Sequence, residues 1–78
     1  MMNVYVMHWV YDWECATTII IHAFSRDSAK RILWATLSRG SGPWYVNSDD
    51  IKGVADRLVD RAICVSQVNV DEQEIQFI

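Results

Sequence analysis

Side chains able to bind metal are concentrated in one short stretch, residues 8–22. It holds His8, Asp12, Glu14, Cys15 and His22 within what the pattern predicts to be a single β-hairpin. A three-residue loop would place His8 directly opposite His22, whereas a loop of two or four residues would send them to opposite faces. Because no third ligand stands at a diagnostic spacing, we expect hydrogen-bonded histidines, with no metal and no cofactor.

Nucleophilic catalysis would need an activated cysteine, and neither cysteine has the right surroundings. Cys15 lies beside Asp12 and Glu14, although a reactive thiol needs an electropositive setting. Cys64 lies between apolar neighbours and is predicted to be a core thiol. The glycine-rich segment 40–43 lacks the lysine and the strand-to-helix context of a phosphate-binding loop. The sequence therefore predicts a protein that is not an enzyme.

Two cysteines without a disulfide-type spacing predict free thiols and a cytoplasmic location. The chain opens with no charged segment followed by an apolar run, and its apolar runs fall far short of the ~20 residues of a membrane span. We therefore expect no membrane association.

The elements that carry these residues follow the order ββααββ. The segments are strands 3–11 and 17–24, a helix 26–38 capped by Ser25, a loop 40–45, a helix 48–60 capped by Asn47 or Ser48, and strands within 63–70 and 74–78. Helices between two hairpins predict an α+β fold, with one antiparallel sheet of about four strands and one helical layer on one face. The 78 residues form a single domain, 1–78.

The first strand is apolar on both of its faces. One alternating set is Val4, Val6, His8 and Val10, and the other is Tyr5, Met7, Trp9 and Tyr11. A single helical layer covers only one face, so the pattern predicts that another surface covers the second. We expect the aromatic set to be the uncovered one, offered either to a protein partner or to a second copy in a homodimer.

Aromatic and acidic side chains dominate the residues predicted to bind a partner. Four tryptophans, three tyrosines and two phenylalanines exceed what so small a core can bury, and residues 47–78 hold seven acids against three bases. The predicted partner-binding residues are Tyr5, Trp9, Tyr11, Trp13, Trp34, Trp44, Asp49, Asp50, Asp56, Asp60, Asp71, Glu72 and Glu74.

An alternative hypothesis is a small regulatory or nucleic-acid-associated module. Tyr5, Trp9 and Tyr11 could stack on bases while Lys30, Arg31 and Arg39 contact phosphates. These two groups are predicted to lie on different layers, and the net charge of −3 opposes phosphate binding. Direct nucleic-acid binding is therefore disfavoured.

In size, acidity, aromatic content and layout, the chain resembles the small single-domain proteins of phages and mobile elements, among which anti-CRISPR inhibitors are the best-known class. The resemblance is one of outline and includes no shared motif. It implies an inhibitor that occludes a host nucleoprotein complex, with carboxylates taking the place of nucleic acid in a basic groove. The residues that could supply that charge are Asp49, Asp50, Asp56, Asp60, Asp71, Glu72 and Glu74.

Overall fold

The computed structural model describes residues 1–12, 15–39 and 50–78, with the backbone alone at 11 and 12. The elements are β1 (Met2–Asp12), β2 (Cys15–Ala23), α1 (Arg26–Ser38), α2 (Ile51–Arg61), β3 (Ile63–Val68) and β4 (Glu74–Phe77). The predicted α+β class and the order ββααββ are confirmed. Trp13, Trp44, Asp49, the predicted caps Asn47 and Ser48, and the side chain of Tyr11 lie outside the described residues.

The four strands form one antiparallel sheet in the order β3-β1-β2-β4, so the last two strands flank the amino-terminal hairpin. Within that hairpin Tyr5 pairs with Ile21 and Trp9 with Thr17. The register shifts between Val10 and Asp12, so that Tyr11 is one extra residue on β1. The segment 69–73 joins opposite edges of the sheet and must therefore pass the end where β1 begins and β2 ends.

The first helix has the predicted bounds and the predicted cap. The Ser25 hydroxyl accepts a hydrogen bond from the Ser28 amide at 3.2 Å, which satisfies one of the free N–H groups of the first turn. Ala29, Leu33 and Leu37 are its buried residues. Because they recur at helical spacing, the helix lies with one apolar stripe on the sheet.

The second helix begins at Ile51, and its N-cap residue Asp50 makes no side-chain cap hydrogen bond. Its buried residues are Ile51, Ala55 and Val59, which recur at helical spacing. Gly53 lies in the first turn, where an added Cβ would stand 2.7 Å from a carboxylate oxygen of Asp50.

Both helices pack on the same face of the sheet, against β1, β2 and β4. The core on that face contains Tyr5, Met7 and Trp9 of the aromatic set, with Tyr5 4% and Trp9 8% exposed. The expectation that the aromatic set is the uncovered face is therefore wrong. The helices present small and aliphatic side chains, which leave room for large rings, whereas the opposite set carries His8 and His22, whose polar rings stay nearer to water.

Arg26 joins the two helices and the aromatic face. Its guanidinium donates hydrogen bonds to the carbonyl oxygens of Val59 at 2.6 Å and Ala62 at 2.9 Å, at the carboxyl end of α2. The same group lies 5.1 Å above the centre of the Tyr5 ring. Its positive charge thus meets the negative end of a helix dipole and an aromatic face together.

Candidate protein-binding surface

The surface of interest is the face of the sheet turned away from the helices, called here the open face. Strand register places its members, because residues directly paired across strands share a face. Its residues are Val6, His8, Val10, Ala16, Thr18, Ile20, His22, Ile63, Ser66, Val68, Glu74, Gln76 and Ile78.

Met2 and Val4 share this face but are buried, at the end of the sheet that the segment 69–73 passes. Gln73 of that segment accepts a hydrogen bond from the Phe24 amide through its side-chain oxygen at 3.4 Å. The open face is thus closed at one end and uncovered along the rest of its length.

Apolar side chains form a continuous band across the open face. Ile63 pairs with Val6, and Val6 pairs with Ile20, so the three lie side by side on β3, β1 and β2. Ile63 is 67% exposed and Val6 and Ile20 are half-buried. Val10, on the same face, is 66% exposed, and Ile78, which extends β4 opposite Thr18, is 70% exposed. Exposed aliphatic side chains grouped in this way are typical of an interaction surface.

The two histidines lie on the open face without meeting. His8 pairs with Thr18, and His22 pairs with Val4, four residues before His8. At the usual rise the two rings stand about 13 Å apart along the strands, too far to share a metal ion. His8 Nδ1 and the Thr18 hydroxyl are hydrogen-bonded at 2.9 Å. Within 1–12, 15–39 and 50–78, no three metal-binding side chains come together.

The bulge at Tyr11 explains this arrangement. Only residues 13 and 14 separate the paired Asp12 and Cys15, and a two-residue loop by itself would send the histidines to opposite faces. The one extra residue reverses the alternation and returns both rings to one face. Loop length alone, without the bulge, predicts the opposite arrangement of the two histidines.

The predicted acidic residues do not form one uniform surface. Asp50 pairs with Arg57 at 3.1 Å, and Asp60 pairs with Lys30 at 2.8 Å. The hydrogen bond from Lys30 to Asp60 raises the pKa of that lysine above its ordinary 10.5. Both carboxylates therefore face cations of their own chain.

Asp71, Glu72 and Glu74 are exposed at the end of the sheet where β4 begins. None of them is ion-paired with another described residue. Glu74 lies on the open face beside His22, so three carboxylates border the closed end of that face. These three carboxylates, called here the acidic border, are the predicted acidic residues that remain available to a partner.

Trp34 lies on the other side of the molecule, in a groove of about 420 Å³ between α1 and α2, called here the helix groove. Its indole is 46% exposed. The residues lining the helix groove are Asp27, Lys30, Arg31, Trp34, Lys52 and Asp56. The exposed indole of Trp34 thus lies among three cations and two carboxylates. This grouping was not predicted from the sequence.

Cys64 is exposed, which corrects its prediction as a core thiol. It lies on β3, an edge strand whose residues 63–67 are exposed. The apolar neighbours of Cys64 suggested burial, but the helices pack on the other three strands. Cys15 is exposed at the start of β2.

The fold and this surface define a small α+β protein in which both described helices cover the same face of one sheet. No protein-family model, curated protein or solved structure matches the chain. Neither helix in the described part of the chain has the length and apolar character needed to cross a membrane.

Proposed function

We propose that this chain is a non-enzymatic protein-binding module that acts as an inhibitor of the anti-CRISPR type in the host cytosol. It occludes a host nucleoprotein complex with the open face of its sheet. The observation that carries the proposal is the apolar band of Ile63, Val6 and Ile20, continued by Val10 and Ile78, on the face of the sheet opposite α1 and α2.

The size of the open face favours a larger partner over a face-to-face second copy. Four strands about 4.8 Å apart, uncovered over about 20 Å, offer roughly 400 Å² in projection. A standard stable interface buries about 800 Å² on each side. A concave partner that also contacts the borders of the face supplies the missing area, whereas a second flat sheet does not.

Charge supports a partner with a basic rim. Asp71, Glu72 and Glu74 border the open face at one end, and the whole chain carries a net charge of −3. A groove built to hold nucleic acid is lined with lysine and arginine, so it would attract this acidic border. Apolar contact then provides affinity, and the carboxylates provide orientation and a faster approach.

The test is target-DNA cleavage by a panel of purified RNA-guided nuclease complexes, each first incubated with the protein. We expect at least one complex to be inhibited, and Val10→Lys to weaken that inhibition by at least about tenfold, because it places a charge in a desolvated apolar contact. Ala35→Lys on the exposed side of α1 is the matched control and should inhibit normally.

Two results would overturn the proposal. One is a panel in which no complex is inhibited, and the other is a Val10→Lys variant that inhibits as well as the original chain. Glu74→Lys gives a separate measure of the acidic border: we expect slower association, with a smaller dependence on salt concentration.

The helix groove favours a second candidate function, binding of single-stranded nucleic acid. There Trp34 offers a stacking surface, and Arg31 and Lys52 have no ion-pair partner among the described residues. The aromatic ring and the cations thus share the helical layer, whereas the sheet aromatics and the cations of α1 were predicted to lie on different layers. The net charge of −3 still opposes phosphate binding.

Fluorescence anisotropy of labelled single strands at low salt tests this second candidate. If it is correct, Trp34→Ala should weaken binding by about tenfold, since stacking on one ring contributes ~1–3 kcal/mol. Arg61→Ala, which removes an exposed base outside the helix groove, should have a much smaller effect. Binding that responds equally to both variants would indicate unspecific charge attraction and would exclude the groove.

A further inference from the structure

Among the residues that the structure describes, little protects the edge strand β3 against pairing with another strand. Its sequence, Ile63 to Val68, contains no charged residue, no proline and no glycine. Ile63 and Val65 are 67% and 56% exposed. Proteins usually guard an edge with lysine, proline, a β-bulge, a very short strand or a covering element, because its free N–H and C=O groups accept any extended chain. Of the features that its own sequence and register can supply, β3 has one, the bulge at Val65, where it carries one residue more than β1.

The opposite edge is guarded. β4 has four residues, begins with Glu74, and has α1 packed against it. Each of these features discourages the addition of a further strand. The contrast within one sheet marks β3 as the edge available for association.

We propose that two copies of the chain pair through β3, antiparallel about a twofold axis perpendicular to the sheet. The product is one continuous sheet made of two four-stranded halves, with both helical layers on the same side. Such a contact is isologous and closes at two copies, because the guarded β4 edges become the outer edges. An uncharged strand pairs with itself without like-charge repulsion.

Matching of faces selects the register. Ile63 and Val68 lie on the open face, since they pair with Val6 and Met2, whereas Cys64 and Gln67 lie on the other face. Residues directly opposite must share a face. The register that meets this condition and also pairs all six residues of β3 places Ile63 opposite Val68 of the second copy and Cys64 opposite its Gln67. The bulge at Val65 falls at the axis together with Ser66.

This pairing is independent of the proposed inhibitor function, because it leaves both open faces uncovered. It aligns them side by side on one surface and doubles the apolar area offered to a partner. The contact is one strand long, so we expect a dimer that dissociates on dilution.

Sedimentation velocity over a range of concentrations tests the pairing. We expect the mass to rise from one to two copies of the 9.0 kDa chain as concentration increases. Ser66→Lys, which places two ammonium groups at the axis, should raise the dissociation constant by at least about tenfold. Gln76→Lys on the β4 edge is the matched control and should leave the constant unchanged.

Ile20→Lys distinguishes this dimer from a face-to-face one. It should leave edge pairing intact, because Ile20 lies on the inner strand β2, whereas it should abolish a dimer formed through the open face. A chain that stays monomeric up to submillimolar concentration overturns the proposal, and so does a dimer that Ile20→Lys disrupts and Ser66→Lys does not.

A disulfide measurement tests the register and does not depend on the folding of Ser66→Lys. In the Cys15→Ser, Gln67→Cys variant, diamide should join the thiol of Cys64 to the new thiol at 67 of the second copy. The Cys15→Ser, Gln76→Cys variant is the control and should give much less covalent dimer. Equal yields from the two variants would exclude the proposed register.

Discussion

The two faces of the sheet are formed by alternating residues of the same strands, but their surroundings differ. Ile19 and Ile21 are fully buried beneath the helices, while Ile20 between them lies half-exposed on the open face. The side-chain type is identical, so hydropathy alone does not distinguish the faces. The shape of the covering layer decides which face becomes the core.

The strongest test of this contrast replaces the same residue type on each face. Ile21→Ala removes a fully buried side chain and should lower the free energy of unfolding by about 2–5 kcal/mol, whereas Ile20→Ala should cost about 1 kcal/mol. Urea unfolding monitored by circular dichroism gives both values. Equal losses would mean that the open face is covered in solution.

Arg26→Ala tests how the helical layer is fixed to the covered face. The change removes two hydrogen bonds to the end of α2 and the contact with Tyr5, so we expect a loss of about 2 kcal/mol. Arg26→Lys keeps the charge without the planar fork and should recover part of that loss. An alanine variant as stable as the original chain would show that the helices need no such attachment.

Gly53→Ala sets helix propensity against an ion pair. Alanine favours a helix by up to about 1 kcal/mol over glycine, while the new Cβ displaces Asp50 from Arg57 and removes an exposed pair worth about 0.5 kcal/mol or less. We expect the free energy of unfolding, measured by chemical denaturation, to rise by about 0.5 kcal/mol. Destabilisation would mean that the ion pair fixes the start of α2.

The smallest effect should come from the Lys30–Asp60 pair, which joins α1 to α2. Because folding raises the pKa of Lys30 above 10.5, its contribution is complete below that value and is lost as pH rises through the raised pKa. Melting temperatures of the original chain and Lys30→Met should therefore differ at neutral pH and converge in strong alkali. A difference that persists in alkali would show that the lysine acts through packing instead of charge.

Local signals in the sequence were sufficient for the elements and their order. The Ser25 cap and the spacing of Ala29, Leu33 and Leu37 predicted α1 at its observed bounds, because capping and periodicity act within a few residues. The apolar character of both sheet faces was also evident. The sequence did not show which face packs against the helices, because that choice depends on packing volumes between distant segments.

The errors in the candidate site have the same origin. Tyr5 and Trp9 were expected on the surface because aromatic residues anchor interfaces, yet the aliphatic stripes of α1 and α2 accommodate them in the core. The exposure of Cys64 follows from strand order, which no local pattern encodes. The grouping of Trp34 with Arg31 at helical spacing was visible in the sequence and could have identified the helix groove.

The placement of β3 and β4 on either side of the first hairpin has a consequence for biosynthesis. Both edge strands follow the helices and pair with strands made between 52 residues (His22 and Glu74) and 66 residues (Met2 and Val68) earlier. On the ribosome, the nascent hairpin therefore waits with its flanks unpaired until β3 and β4 have been synthesised. During that interval the unpaired edges of β1 and β2 can pair incorrectly with other nascent chains, so slow elongation should increase aggregation.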